Sequence, residues 1–154
     1  MGFTTLSLKG RALRLLSQRE HSPAELRRKL APHVQEGDDL QALLDDLQAR
    51  DFISEARVVE SVLHQRAGRL GSQRIRQELH AKGIDPEAVR QALDQLKGSE
   101  WARAHALWLR KFGAVADDAQ QRARQVRFLT ARGFSGEITR RVVRGEAPDI
   151  QGEM

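Results

Sequence analysis

The stretch RLGSQRIRQELHAKGIDPEAV, residues 69–89, is typical of one helix, a glycine stop and the capped start of a second helix. Gly83 stands where a chain leaving a helix turns through a left-handed conformation. Asp85, followed directly by a proline, is a typical helix start. The stretch QRARQVRFLTARGFSGEI, residues 121–138, has the same order of features. Two copies of one pattern indicate an internal repeat.

Three apolar positions recur along the chain at intervals of 49 or 50 residues. The sets are Leu30, Leu79 and Leu129; Val34, Ile84 and Phe134; and Leu44, Leu93 and Val143. Elsewhere the apolar residues recur at spacings of three and four, which is typical of amphipathic helices. The sequence therefore predicts an all-α fold, an elongated and curved tandem array of three three-helix modules.

The repeat period also sets the expected boundaries. The three modules are expected at residues 8–53, 54–98 and 99–144, after an N-terminal extension of residues 1–7. Residues 145–154 lack helical periodicity and are expected to form a disordered tail. Each module is too small to bury a large core alone, so its neighbours must complete its apolar faces.

Capping signals mark several helix ends. Ser22 and Glu25, with a proline after the serine, predict a capping box, and Pro32 is expected to end that helix where the other modules use glycine. The next helix is expected to begin near Asp38. The other expected caps are Ser54, Asp85, Ser135 and one of Asp117 and Asp118.

Composition limits the class of protein. The 154 residues include no cysteine, which excludes disulfides and thiolate chemistry, and no apolar run is long enough to span a membrane. We therefore expect a soluble, cytoplasmic protein. The net charge is +5, and the basic excess rises toward the C-terminus, where residues 99–154 hold 10 basic and 7 acidic residues. An acidic protein surface or a nucleic acid would suit this charge.

Arginines are the candidate binding residues. The set is Arg66, Arg69, Arg76, Arg124, Arg127, Arg132, Arg140, Arg141 and Arg144. Arg124 and Arg127 lie opposite Val126 and Leu129 on a helix, so we expect both to be exposed. Carboxylates or phosphates would satisfy such a cluster equally well, and solvated helix faces remain the alternative for any one arginine.

Other charged residues invite a local explanation. Arg74 lies four residues before Glu78, and Glu25 four before Lys29, so we expect an intrahelical ion pair in each case. Gly71 is expected to free the linker between two helices. The expected structural repeat positions are Leu30, Gly71, Ile75, Leu79, Gly83, Ile84, Leu129, Gly133 and Phe134.

Candidate catalytic and metal sites are weak. Acidic pairs such as Asp45 and Asp46 are adjacent, and adjacent helical residues point about 100° apart, which is poor geometry for a shared proton or metal. The five histidines lack HxxxH spacing. Trp101 and Trp108 share a face with Phe112, which favours a core role over stacking on bases. We expect no enzyme activity, no metal and no cofactor.

The run DFISEARVVESVLHQRAGRLGSQRIRQELHAKGID, residues 51–85, resembles the central signature of the RecX proteins. The run RFLTARGFSGEITRRVV, residues 127–143, resembles their closing repeat, and the resemblance covers about residues 8–144. RecX proteins are bacterial regulators of the RecA recombinase, built from tandem repeats that resemble helix-turn-helix units.

This resemblance implies a specific function. The chain would lie in the helical groove of a RecA filament on single-stranded DNA, bridge neighbouring subunits, and suppress strand exchange, ATP hydrolysis and co-protease activity, thereby modulating DNA repair and the SOS response. It would act as a monomer without a cofactor, and weak direct contact with DNA fits the same family. The alternative is a DNA-binding helical-repeat protein that acts without RecA.

Overall fold

The computed structural model describes residues 6–148. Over that range the chain forms nine α-helices, one short 3₁₀ helix and no strand. The α-helices are α1 (Leu8–Gln18), α2 (Pro23–Leu30), α3 (Leu40–Ala49), α4 (Glu55–Arg66), α5 (Ser72–Ala81), α6 (Pro86–Lys97), α7 (Glu100–Lys111), α8 (Ala119–Ala131) and α9 (Gly136–Val143).

The helices pack in three successive groups of three, each around its own apolar cluster. The first cluster is Leu8, Ala12, Leu26, Leu30, Leu44, Leu47 and Ile53. The second is Val58, Val62, Ile75, Leu79, Ile84, Val89, Ala92 and Leu96. The third is Ala104, Trp108, Leu129, Phe134, Val142 and Val143. The prediction of an all-α tandem helical array is confirmed, and we call the groups modules 1, 2 and 3.

The helix starts follow the capping chemistry of the sequence. Ser22 and Glu25 form the complete capping box at α2. The side chains of Ser54, Asp85 and Ser135 cap α4, α6 and α9 as predicted. Asp118, rather than its neighbour, caps α8. Each oxygen satisfies a backbone N–H that the helix itself leaves without a partner.

The helix ends differ between modules. Gly83 and Gly133 follow α5 and α8 with φ of +71° and +91°, the left-handed conformation that glycine adopts without a steric penalty. Pro32 was predicted to end the first middle helix, and α2 does end just before it, at Leu30. After α2 the chain continues as the 3₁₀ helix Ala31–His33, in which proline occupies the second position. The next helix, α3, begins at Leu40, two residues later than predicted.

The predicted aromatic core is present in module 3. Trp108 is buried, and its Nε1 donates to Gln125 Oε1 at 2.9 Å. Trp101 is half-buried, packs against the same cluster, and donates from Nε1 to the Glu146 carbonyl at 3.3 Å. The indole N–H groups are therefore satisfied within the protein.

The middle helices of successive modules meet head to tail. At the junction of modules 2 and 3, Gly71 N–H donates to the Arg132 carbonyl at 2.7 Å and Gln73 N–H to the Gly133 carbonyl at 3.1 Å. At the junction of modules 1 and 2, the Ser22 hydroxyl donates to the Lys82 carbonyl. The orphan carbonyls at one helix end thus accept from the start of the preceding middle helix.

Gly71 has a different role from the one predicted. A Cβ at this position would lie 2.4 Å from the carbonyl carbon of Gly133 and from the N atom of Phe134. Its φ of −82° is ordinary for any residue, so conformational freedom is not what the position requires. The glycine allows two backbones to approach each other closely.

Few of the described residues lie outside the three modules. Ser7 Oγ accepts from the Gly10 N–H at 3.0 Å and caps α1. Residues 145–148 form no helix, and residues 1–5 and 149–154, which include most of the predicted extension and tail, lie outside the described range. None of the described helices has the length and apolar character needed to cross a bilayer.

Candidate partner-binding groove

A groove of about 530 Å³ lies at the junction of modules 2 and 3, and we call it the junction groove. Its lining residues are Arg66, Arg69, Leu70, Arg74, Glu78, Ala131 and Arg132. Three of the predicted binding arginines, Arg66, Arg69 and Arg132, therefore come together here. They arrive from three different segments, namely the end of α4, the linker of residues 67–71 and the end of α8.

The groove carries a strong positive excess, because four guanidinium groups face one carboxylate among its lining residues. Arg66 Nε lies 3.2 Å from Glu78 Oε1, so this one carboxylate is already engaged. Arg69 is exposed on the linker. The clustered charge attracts carboxylates or phosphates over several ångströms and gives them fork-shaped donors at contact.

The predicted ion pair between Arg74 and Glu78 is wrong. Arg74 Nη1 instead donates to the carbonyl of Ala131 at 2.8 Å, across the module junction. Glu78 turns toward Arg66 on α4. An exposed intrahelical pair contributes only about 0.3–0.5 kcal/mol, and a guanidinium bonded to an otherwise free helix-end carbonyl contributes more. The sequence spacing alone therefore misses Arg74 as a groove residue.

Arg132 is held in place by an aromatic ring. Its guanidinium carbon lies 3.8 Å from the centroid of Phe128, and Nη1 donates to the Phe128 carbonyl at 3.5 Å. Lys111 Nζ lies 5.6 Å from the same centroid. Phe112 packs edge-on against Phe128 at 5.3 Å, which fixes the ring. Arg132 is thus ordered before any partner binds.

The remaining predicted arginines lie outside the groove. Arg76, Arg124, Arg127 and Arg140 are exposed. Arg141 and Arg144 are engaged locally. Their partners are Glu137 at 3.1 Å and Glu146 at 2.8 Å, and Arg141 also lies 5.2 Å from the centroid of Trp101. The structure therefore divides the predicted set into three groove residues and six others.

The predicted structural repeat positions are largely buried. Leu30, Ile75, Leu79 and Leu129 are fully buried, and Ile84 and Phe134 are 3% exposed. Of the three glycines, Gly71 and Gly133 are buried at the module 2–3 junction, whereas Gly83 is exposed. A Cβ on Gly83 would nevertheless meet the Cβ of Ala24 at 2.4 Å, so both junctions require glycine beside the middle helix.

A buried carboxylate lies at the other junction. The predicted pair of Glu25 with Lys29 is wrong, because Glu25 Oε2 lies 2.9 Å from Arg19 Nη2 and 3.6 Å from Lys82 Nζ. Burial would raise the pKa of Glu25, but the hydrogen bonds from Arg19 and the Ser22 N–H, with the charge of Lys82, lower that pKa to about 2. The carboxylate thus joins module 1 to module 2.

Lys29 contacts a histidine instead. His21 is fully buried; its Nδ1 lies 3.0 Å from the Arg19 carbonyl, and its Nε2 lies 3.3 Å from Lys29 Nζ. A carbonyl only accepts, so Nδ1 carries the proton and Nε2 accepts from the ammonium. Burial first, and the charges of Arg19 and Lys29 next, lower the pKa of His21.

Within residues 6–148, no group of three or more histidine, aspartate or glutamate side chains is arranged to hold a metal ion.

Comparison with known proteins identifies related sequences over both junction-groove modules. Residues 54–93 match the family description "RecX, second three-helix domain", and residues 99–143 match "RecX, third three-helix domain". Two solved structures share the fold. The crystal structure of RecX from Lactobacillus salivarius gives a TM-score of 0.71 at 20% identity, covering 90% of this chain and 93% of that one. A second crystal structure, of regulatory protein RecX, gives a TM-score of 0.70 at 23% identity, covering 88% of this chain and 70% of that one.

Curated relatives are much closer in sequence. The regulatory protein RecX of Leptothrix cholodnii is 56% identical over 139 residues, which cover 90% of this chain and 88% of the relative. The regulatory protein RecX of Herminiimonas arsenicoxydans is 51% identical, covering 92% and 93%. Both alignments cover at least 90% of this chain. The chain therefore belongs to the RecX family of regulatory proteins.

Proposed function

We propose that this chain is a RecA regulator that binds the RecA filament on single-stranded DNA in its helical groove. It bridges neighbouring RecA subunits and inhibits strand exchange, ATP hydrolysis and co-protease activity. By doing so it modulates DNA repair and the SOS response in the cytoplasm. It acts as a monomer and without a cofactor. Family membership supports the regulatory role, and the junction groove supports a site for it.

The observation that carries the site is the convergence of Arg66, Arg69 and Arg132 on one groove. These side chains come from two modules, so the site exists only when both are stacked. A tandem array presents such a site at a fixed distance from its ends, which suits a repeating polymer better than a small ligand. The groove is also open and strongly charged, as expected for a macromolecular contact.

The groove geometry favours a protein carboxylate as the first contact. Arg66 already pairs with a carboxylate, Glu78, at a distance of 3.2 Å. A partner carboxylate would need only to join or replace this pair, with Arg69 and Arg132 supplying further fork-shaped donors. Such pairs across an interface affect partner choice and association rate strongly.

Direct nucleic-acid binding is the second candidate function. The four guanidinium groups of the junction groove and the exposed Arg124 and Arg127 on α8 favour it, because phosphates bind the same donors. A salt titration separates the two functions. Tight binding to bare single-stranded DNA with a steep salt dependence, and no effect on RecA ATP hydrolysis, would support this second function.

The test of the proposed site is a charge reversal in the groove. Arg69→Glu is expected to raise the chain concentration needed for half-inhibition of RecA strand exchange by about tenfold, since an interfacial charge contact becomes a repulsion. Arg14→Glu, on an exposed face of α1, is the matched control and is expected to change it less than about twofold. Both variants are expected to keep wild-type helicity and melting temperature. If the two variants inhibit strand exchange equally well, the junction groove is not part of the interface with RecA.

A further inference from the structure

The linker of residues 67–71 turns its backbone carbonyls toward α7 of the next module. Arg103 Nη1 donates to two of them, the carbonyls of Ala67 and Leu70, both at 2.7 Å. Farther along α7, Arg110 Nη2 contacts a third carbonyl from this linker at 3.4 Å. Arginines from module 3 therefore hold most of a linker that belongs to module 2.

The setting of Arg103 is unusual for an arginine. Its guanidinium is half-buried, with Nε 3.1 Å from Ser99 Oγ and the guanidinium carbon 6.0 Å from the centroid of Phe134. Its Nη2 is buried and has no hydrogen-bond partner among the described residues. Burial lowers the pKa of Arg103, and the charge of Glu100 opposes this. Burying a charge costs free energy, and the bonds to the two linker carbonyls and to the Ser99 hydroxyl offset that cost.

The held linker carries part of the junction groove. Arg69 lies between the two carbonyls that Arg103 binds, and Arg66 directly precedes the linker. Arg103 belongs to α7, which packs with α8 around the core of module 3, and α8 ends beside Arg132. The contact therefore ties the module 2 side of the groove to the module 3 side.

We propose that Arg103 is the positioning residue of the junction groove, which holds the linker so that Arg69 and Arg132 present their charges to one partner group. Two carbonyls and one hydroxyl are bound by a planar fork, which the single ammonium of lysine does not reproduce. The role of the groove in binding rests on the proposed function, whereas the effect of Arg103 on the linker does not.

The first measurement needs no RecA. Amide hydrogen exchange at residues 69–71 is measured in the wild-type chain, in Arg103→Gln and in Arg103→Lys. We expect exchange at these amides to quicken at least about tenfold in both variants, since two charge-assisted hydrogen bonds are lost or weakened, with the amides of α1–α3 unchanged. Arg110→Gln, which removes only the longer contact, is the control. Unchanged exchange at residues 69–71 in Arg103→Gln would overturn the inference.

The second measurement asks whether Arg103 acts through Arg69. We expect Arg103→Gln to weaken inhibition of strand exchange about tenfold in the wild-type background but less than about twofold in an Arg69→Gln background. Additive losses would overturn the inference, because a merely structural contribution would weaken both backgrounds equally. If Arg69→Gln alone leaves inhibition intact while Arg103→Gln still quickens linker exchange, the proposed interface fails, and the linker contact does not.

Discussion

Lys82 and Arg132 occupy equivalent positions 50 residues apart, and the backbone carbonyl of each accepts a hydrogen bond from the preceding module. The Lys82 carbonyl accepts from the Ser22 hydroxyl, and the Arg132 carbonyl accepts from the Gly71 N–H. The middle helices α2, α5 and α8 thus meet end to end at both junctions, with the positive end of one helix dipole near the negative end of the next. Backbone carbonyls at the helix ends therefore accept hydrogen bonds at both junctions, and at the first junction the Lys82 side chain adds its contact with Glu25.

The close backbone approach at Gly71 predicts a large effect of a single methyl group. Gly71→Ala would place Cβ 2.4 Å from backbone atoms of Gly133, so the junction of modules 2 and 3 must shift. We expect the free energy of unfolding to fall by about 1–3 kcal/mol, as in overpacked cores. Urea unfolding followed by circular dichroism measures the change.

Gly68→Ala is the matched control for that substitution. Gly68 lies in the same linker, has no positive φ, and a Cβ there meets no atom within 4 Å. We expect it to leave stability unchanged or to raise it slightly, because alanine reduces the entropy of the unfolded chain. Equal destabilisation by the two variants would show that the linker tolerates no side chain and that the contact with Gly133 is not the reason.

The buried carboxylate of Glu25 predicts an acid-sensitive junction. Its pKa of about 2 lies below the ordinary value of 4.5, so its contribution to stability is complete above pH 4.5 and is lost as pH falls toward 2. Glu25→Gln is expected to lower the free energy of unfolding at pH 7 by about 1–3 kcal/mol, with the difference from wild type shrinking below pH 4.5. Glu87→Gln, which removes an exposed pair with Arg90, is expected to have a far smaller effect.

Protonation of His21 is expected to destabilise module 1 at a higher pH than protonation of Glu25 does. Its pKa is lowered from the ordinary 6.5, so stability is complete above pH 6.5 and falls as pH drops below that value. Protonated Nε2 would face Lys29 Nζ, which lies 3.3 Å away. In His21→Asn we expect the fall in melting temperature below pH 6.5 to be reduced. His64→Asn, an exposed position, is the control and is expected to keep the full pH dependence.

The stacking of Arg132 on Phe128 predicts a functional cost for losing an aromatic ring. Phe128→Leu keeps an apolar side chain but removes the ring face that lies 3.8 Å from the guanidinium carbon. We expect inhibition of strand exchange to weaken about twofold to fivefold, in line with a cation–π contribution near 0.5–1 kcal/mol. Phe52→Leu, an exposed aromatic in module 1, is the comparison. Equally weakened inhibition in both variants would show that the Phe128 ring does not act through the junction groove.

Local signals in the sequence were sufficient to predict most of the fold. The caps at Ser22, Ser54 and Ser135 and the glycine ends at Gly83 and Gly133 depend only on neighbouring backbone, so they appear at the predicted positions. The period of about 50 residues predicted the array of three modules, because Leu30, Leu79 and Leu129 each lie on the middle helix of one module.

Contacts across the junctions could not be predicted in this way. Arg74 and Glu25 each had a plausible partner on its own helix, but other helices supplied stronger ones. Arg74 bonds to Ala131 across the module junction. Glu25 pairs with Arg19 at the end of α1 and with Lys82 across the junction. Arg103 has no distinguishing sequence signal, because its burial depends on where the preceding module's linker ends. Apolar periodicity predicts which face of each helix is buried, but it does not predict which helix ends will meet.

The most direct test of the regulatory function is RecA-catalysed strand exchange on single-stranded DNA with the chain added well below the RecA concentration. The proposed function predicts strong suppression at such substoichiometric amounts, because one bound array affects many subunits of the filament, together with lowered ATP hydrolysis. Strand exchange and ATP hydrolysis that remain at their uninhibited rates, even with the chain in excess over RecA, would contradict it.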